Sequence, residues 1–211
     1  KAVIERARLL PAQEVRLRRQ AFIRMTHSST AIEGNLLDQK QVEAIASRKK
    51  IDAPERDVYE VRNYLAALRY IERVVEKRAP FTERVLLHVH RLVTQDTLPA
   101  VQSGRYRTGP VYVVRRRAGL PPETRYTAPA AKRVPILTRQ LIQWVRASER
   151  EEVSPVIVAG LAHLEIAGIH PFADGNGRTA RAIAALTLYS RGYDFRRLFA
   201  LEDYYNKDRP A

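Results

Sequence analysis

Apolar residues recur at every third or fourth position along most of the chain. Val58, Val61, Leu65, Leu68, Ile71 and Val75 form one stripe, the pattern of a helix with one face in a core. Val134, Leu137, Leu141 and Val145 repeat it within 131–148. The punctuation between stripes agrees. Residues 2–33 are strong helix formers with one early Pro11, and Gly34 supplies a left-handed position at their end. Asp38 caps a short helix through Ser47. Asp52 and an early-turn Pro54 open the helix that carries the first stripe. Thr82 caps another to about Thr94, and Ser154-Pro155 opens one to about Gly168. A last long helix is expected from about Asn176 to Arg191, stopped by Gly192.

One region breaks this periodicity. In 103–129, Val111, Tyr112, Val113 and Val114 are followed by a Gly/Pro-rich turn and then Arg125-Tyr126-Thr127, which predicts a β-hairpin. Long loops in compact domains often carry function. No repeat, low-complexity tract or domain boundary stands out. The expectation is a mostly α fold with one hairpin.

Composition narrows the classes. The 211 residues, 45% of them hydrophobic, suffice for one sizeable core and exclude wholesale disorder. The absence of cysteine excludes disulfides and thiolate metal sites. No apolar run is long enough to span a bilayer, and the first 19 residues do not read as a signal peptide. A cytoplasmic home fits. The chain starts at Lys1 rather than Met, as expected of a fragment or trimmed chain. Its net charge of +14 attracts anions: nucleotide phosphates, nucleic acid or acidic protein surfaces.

The chemistry concentrates in HPFADGNGRTAR, 170–181. One helix is expected to end just before this stretch and the next to begin inside it, so the turn sits at a helix N-terminus. Free N–H groups and the helix dipole make such a place an anion site. Gly175 and Gly177 let phosphate oxygens approach the backbone. Arg178 and Arg181, three apart, share a helix face and can fork successive phosphates. Asp174 is a hard oxygen ligand suited to Mg²⁺ shared with phosphates. His170 can act as a general base near neutral pH. Pro171 and Phe172 read as core anchors. No GxxxxGK[ST] motif is present, which excludes a P-loop NTPase. His163, seven residues before His170, reads as a core or supporting residue rather than a second metal ligand.

Residues 170–181 resemble the Fic-family signature, H-x-F-x-[DE]-G-N-G-R-x-x-R, at every defined position. The likeness extends to the hairpin around 104–128, the helix before the motif and LYSRGY after it. The resemblance implies a compact helical bundle with a β-hairpin flap, and transfer of AMP from ATP to a Ser, Thr or Tyr hydroxyl of a protein. Related Doc kinases carry Lys where this chain has Gly177, which favours nucleotidyl transfer over phosphorylation. By the same resemblance, His170 deprotonates the target hydroxyl and Asp174 holds Mg²⁺, or Mn²⁺, between the α- and β-phosphates. Gly175, Asn176, Gly177 and Arg178 form the anion hole, and Arg181 holds the γ-phosphate. Val111, Tyr112, Val113 and Val114 pair with an extended target segment.

Alone, SSTAIEGN at 28–35 reads as a helix end with Ile32 in the core. Beside the signature it resembles the family's inhibitory motif, [ST]-x-x-x-E-[GN]. Ser29 and Glu33, four apart on one helix face, fill the Ser/Thr and Glu positions. Glu33 is then expected to pair with Arg181 in the γ-phosphate position. Residues 1–50 become an N-terminal helical region bearing the inhibitory motif, and 51–211 the catalytic core, the two forming a single compact unit. A C-terminal winged-helix-like domain is expected to be missing, so no adenine-contacting residue is assigned. The expected function is an autoinhibited protein adenylyltransferase, with self-modification, acting on ATP and a hydroxyl-bearing protein. The alternatives are a Fic-type de-AMPylase, a transferase using UTP or CDP-choline, and a DNA-binding regulator with a vestigial site. A homodimer is one option for its assembly, and nucleic acid rests on net charge alone.

Overall fold

The structure, a computed structural model, describes residues 9–115, 123–198, 200 and 202–207. Helix α1 (Pro11–Ile32) begins at Pro11 and does not run through it. Proline has no N–H and its ring crowds the preceding turn, so it belongs where the N–H needs no partner. The expectation of helix before Pro11 otherwise falls on 1–8, outside the described residues. Gly34 ends α1 with φ 95°, as predicted. Helix α2 (Gln39–Ala46) is capped by Asp38, whose carboxylate accepts from Gln41 N at 2.8 Å. Helix α3 (Glu55–Glu76) starts one residue after Pro54, which is extended, so Asp52 is not its cap. Helix α4 (Glu83–Val93) is capped by Thr82. A 3₁₀ turn at Ala131–Arg133 leads into α5 (Val134–Ala147). Helix α6 (Pro155–Ile169) follows Ser154, α7 (Asn176–Ser190) stops before Gly192 at φ 69°, and a short α8 (Glu202–Lys207) follows.

Helix α7 lies at the centre, packed against α6, α3, α4 and α1. Its Ala180, Ala182, Ile183, Ala185 and Leu186 are buried, and the small side chains let neighbouring helices approach closely. The α3 stripe divides between two clusters. Leu68 and Ile71 join the main core, while Val61 and Leu65 pack with Ile23, Leu37, Val42 and Ile45 under α1 and α2. Fully burying such a side chain contributes about 1.5–3 kcal/mol.

The predicted hairpin is present. Strand β1 (Tyr112–Arg115) pairs antiparallel with β2 (Glu123–Thr127). Val113 faces Tyr126 but Val114 faces Thr124, so Arg125 is the extra residue of a bulge. The Gly/Pro-rich turn between the strands lies outside the described residues. The two strands form a sheet by themselves, which leaves the outer edge of β1 unpaired among the described residues.

Candidate active site

The site is built where α6 ends and α7 begins. His170 takes the left-handed conformation at the C-cap of α6, φ 49°, and turns the chain sharply. Its Nδ1 lies 3.2 Å from the Ala167 carbonyl oxygen. A carbonyl only accepts, so this contact keeps the proton on Nδ1 and leaves the Nε2 lone pair free. Arg107 fixes the turn from below. Its Nε donates to the His170 carbonyl at 2.7 Å, Nη1 to Gly109 O at 2.8 Å, and Nη2 to Pro129 O at 2.5 Å and Ile169 O at 3.3 Å. Its backbone N–H donates to Pro171 O at 3.0 Å. Tyr126 of β2 adds a bond from its hydroxyl to Gly168 O at 2.8 Å. The hairpin base and the His170 turn are thereby tied together.

The glycine turn is equally constrained. Gly175 is left-handed, φ 74°, and a Cβ there would stand 2.7 Å from Thr94 Cγ2. The Asn176 side chain bridges both backbone groups of Phe172: Oδ1 accepts from its N–H and Nδ2 donates to its carbonyl, each at 2.9 Å. Its amide is therefore a brace for the loop. The N–H groups of Asn176, Gly177 and Arg178, in the first turn of α7, have no intrahelical acceptors. A nest of such donors at a helix start suits an anion, whereas the N–H of Gly175, the fourth residue expected in the anion hole, is taken by Asp174 Oδ1.

His90, which the sequence reading passed over, holds this turn from α4. Its Nδ1 accepts from Gly104 N–H at 2.9 Å and its Nε2 meets Asp174 O at 3.0 Å. Its ring stacks on Phe172 with centroids 3.7 Å apart. Burial pushes its imidazole down to about 4, so the ring is neutral and its tautomer is set by these two bonds.

Asp174 keeps 47% of its side chain exposed. Its Oδ1 accepts from Gly175 N–H at 2.6 Å, and Oδ2 lies 3.7 Å from Arg56 Nη2. No group of three or more ligating side chains occurs among the described residues. A cation here would take one carboxylate from the protein and the remaining oxygens from phosphates and water, the usual manner of Mg²⁺. His163 is half-buried on α6, and burial followed by the charge of Arg181 pushes its imidazole down.

The two arginines point apart. Arg178 is 2% exposed, with Nη1 3.2 Å from Glu60 Oε1 on α3. Glu60 also accepts from Asn35 Nδ2 at 3.1 Å and from Arg56 Nε at 3.3 Å. The expected twin phosphate forks are thus not arranged side by side, because Arg178 is drawn into the wall by a buried carboxylate. Arg181 faces α1. Its Nη2 donates to Glu33 Oε1 at 2.8 Å and Ser29 O at 2.9 Å, and its Nε to Ser29 Oγ at 2.8 Å. The two residues singled out in SSTAIEGN meet the second arginine of the signature, 148 and 152 positions away. Of the flap residues, Val111 accepts from Ala128 N–H at 3.1 Å, and Tyr112 is exposed. The backbones of Val113 and Val114 lie in β1.

A glycine turn at a helix N-terminus, a histidine in the same turn and a hairpin tied to that histidine by Arg107 and Tyr126 define a helical fold with one hairpin at its candidate site. Residues 80–188 match the Fic/DOC family model, and the chain belongs to that family. It is 29% identical over 180 residues to the protein adenylyltransferase Fic of Drosophila virilis, covering 84% of this chain and 35% of that protein. It is 32% identical over 181 residues to the protein of the same name from Culex quinquefasciatus, covering 84% and 34%. The chain therefore spans about a third of the length of these curated relatives. Among solved structures, a Fic family protein from Desulfovibrio desulfuricans G20 superposes with a TM-score of 0.78 at 31% identity, over 98% of this chain and 59% of that one. Fic-1 of C. elegans superposes with a TM-score of 0.77 at 26% identity, over 90% and 54%.

Proposed function

We propose that the chain is an autoinhibited protein adenylyltransferase, which moves AMP from ATP to a Ser, Thr or Tyr hydroxyl of a protein. The observation that carries this reading is a His170 Nε2 that no described residue engages, in the same turn as the first-turn N–H groups of Asn176, Gly177 and Arg178, over which Glu33 stands. Relatives named protein adenylyltransferase support it. In the reaction, the target oxygen attacks the α-phosphorus as His170 Nε2 takes its proton. The bond from that phosphorus to the bridging oxygen breaks and pyrophosphate leaves. The nest and Arg181 neutralise charge on the transferred and departing phosphates, which is most of what phosphoryl chemistry asks of a protein. Asp174 would hold Mg²⁺, or Mn²⁺, whose role is to screen phosphate charge. The unpaired edge of β1 would add an extended target segment as a third strand, giving affinity with little demand on side chains.

Autoinhibition is the second part of the reading. The Glu33 carboxylate stands on Arg181 and over Gly177, where a γ-phosphate would seek its partner. The functional division falls near residue 50, with the inhibitory helix before it and the catalytic elements after it. A cytoplasmic setting with ATP and Mg²⁺ at hand fits these needs. No described helix is long and apolar enough to cross a membrane. Incubating wild type and Glu33→Gly with labelled ATP and Mg²⁺, beside labelled UTP and CDP-choline, tests the assignment. Label from ATP, stronger in the variant, is the expected result. Label from another donor alone, or from none, overturns it.

A further inference from the structure

We propose that Tyr64 and Glu202 are positioning residues for the Glu33–Arg181 latch, and that α8 holds the inhibitory helix closed. The proposal rests on the autoinhibition reading above.

A line of buried polar groups runs from the active site to α8. Arg181 Nε donates to Ser29 Oγ at 2.8 Å. Ser29 neighbours Tyr64 and works against the upward push of burial on its phenol, and the Tyr64 hydroxyl donates to Glu202 Oε1 at 3.2 Å. Each group can donate to the next in only one direction. The guanidinium has no acceptor and heads the line. The Tyr64 proton goes to Glu202, which leaves the phenol oxygen as an acceptor on the Ser29 side. Ser29, Tyr64 and Glu202 are all buried. Such groups are costly without partners, and a complete chain fixes the geometry of every member.

A second set of bonds joins the same two helices. Ser28 Oγ donates to Asp203 Oδ1 at 2.7 Å, and Arg24 Nε lies 3.3 Å from Asp203 Oδ2. Arg24 and Ser28 lie one turn apart on α1, and Ser29, next to Ser28, stands four residues before Glu33. Adjacent acids of α8 thus grip the turn of α1 that carries the inhibitory carboxylate. Glu202 Oε2 is buried with no partner among the described residues, and Glu202 lines a cavity of about 20 Å³ shared with Arg181 and Met25. The acidic end of the line therefore lies beside the same arginine that its other end serves. Burial pushes the Glu202 carboxyl up to about 7, although Tyr64 and Arg181 pull it back.

Ordinary core packing predicts that damage here only lowers activity, whereas a brace on an inhibitor predicts that it raises it. Tyr64→Phe keeps the ring and removes the link. Losing one hydrogen bond of ~1 kcal/mol shifts a population about fivefold, so basal self-labelling should rise by about that factor. Asp203→Asn and Ser28→Ala should raise it in the same direction. Glu202→Gln, whose amide oxygen still accepts from Tyr64, should stay near wild type, and Glu202→Ala should not. In a Glu33→Gly background, Tyr64→Phe should add nothing. The assay is labelled-AMP incorporation by the full chain, with circular dichroism to confirm folding. If Tyr64→Phe does not fold, Asp203→Asn decides alone. Wild-type labelling in these variants while Glu33→Gly is activated overturns the proposal and leaves autoinhibition standing. No activation by Glu33→Gly overturns the latch itself, and this proposal with it.

Discussion

The Glu33 carboxylate lies against Gly177 so closely that a Cβ on the glycine would collide with Glu33 Oε1 and stand 3.2 Å from Arg181 Nη1. One carboxylate therefore obstructs the nest and the guanidinium together. On the proposed reading it would block by volume and by neutralising the cation that an incoming phosphate needs.

Glu33→Gly is expected to raise self-labelling at saturating ATP. Arg181 is buried but a third of the Glu33 side chain stays open to solvent, so screening weakens the pair, and a gain of about tenfold corresponds to ~1.4 kcal/mol. Ser29→Ala should activate less, because Arg181 keeps Glu33 and the Ser29 carbonyl. Arg181→Ala should not activate, since the lock and the phosphate partner vanish together. Equal AMP incorporation by wild type and Glu33→Gly would reduce SSTAIEGN to a helix end.

His170→Ala should leave ATP affinity and the fold largely intact while lowering transfer ~10²–10⁴-fold, the usual effect of losing a general base. Nucleotide titration and labelling on the same preparation separate the two effects. Transfer near the wild-type rate removes His170 from the chemistry.

Asp174→Ala should weaken ATP binding only when Mg²⁺ is present, because the lost carboxylate acts through the cation. Calorimetric titration with Mg²⁺ and with EDTA reads the difference. Activity that persists in excess EDTA contradicts this role.

Glu202 should make stability fall as pH rises. Its carboxyl titrates near 4.5 when exposed and about 7 when folded, so the native state holds the proton more tightly. Its contribution is complete below 4.5 and is lost as pH climbs through 7. At 1.36 kcal/mol per pH unit, the loss is on the order of 3 kcal/mol. Tyr64, Arg181 and Asp203 face the group and modulate it. Urea denaturation of wild type and Glu202→Gln between pH 4.5 and 8 should show the stability difference moving against wild type. A difference that does not change with pH contradicts the shift.

Much of the site is legible in the sequence because its parts are contiguous. His170, Asp174 and the glycines sit in one turn, where chemistry and helix punctuation coincide. The Ser29–Glu33 pair becomes legible beside that motif through its four-residue spacing. The rest depends on contacts between distant elements. Arg107 is one of many arginines, and nothing local tells that its guanidinium meets carbonyls from three segments. Glu60 reads as a surface charge on α3 until Arg178 is seen to point at it. His90 did leave a trace: it sits three residues before Val93 and four after Leu86, on the apolar side of α4, where a histidine must find partners. Pro11 and Pro54 show the limit of propensity, since each moves a helix start that composition alone places earlier.

The Arg107 clamp has a geometric consequence. The Arg107 guanidinium, with the Tyr126–Gly168 bond beside it, joins the flap base to the His170 turn, so their separation is set by side-chain contacts rather than by loop lengths. On the proposed reading, a target segment laid along β1 would be measured as if against a ruler whose zero mark is the imidazole. Which of its residues arrives there depends on where along the strand it pairs. Choice of the modified hydroxyl would then be a matter of counting along the backbone, since a slip of two residues on β1 would bring a different side chain of the same face to the same base.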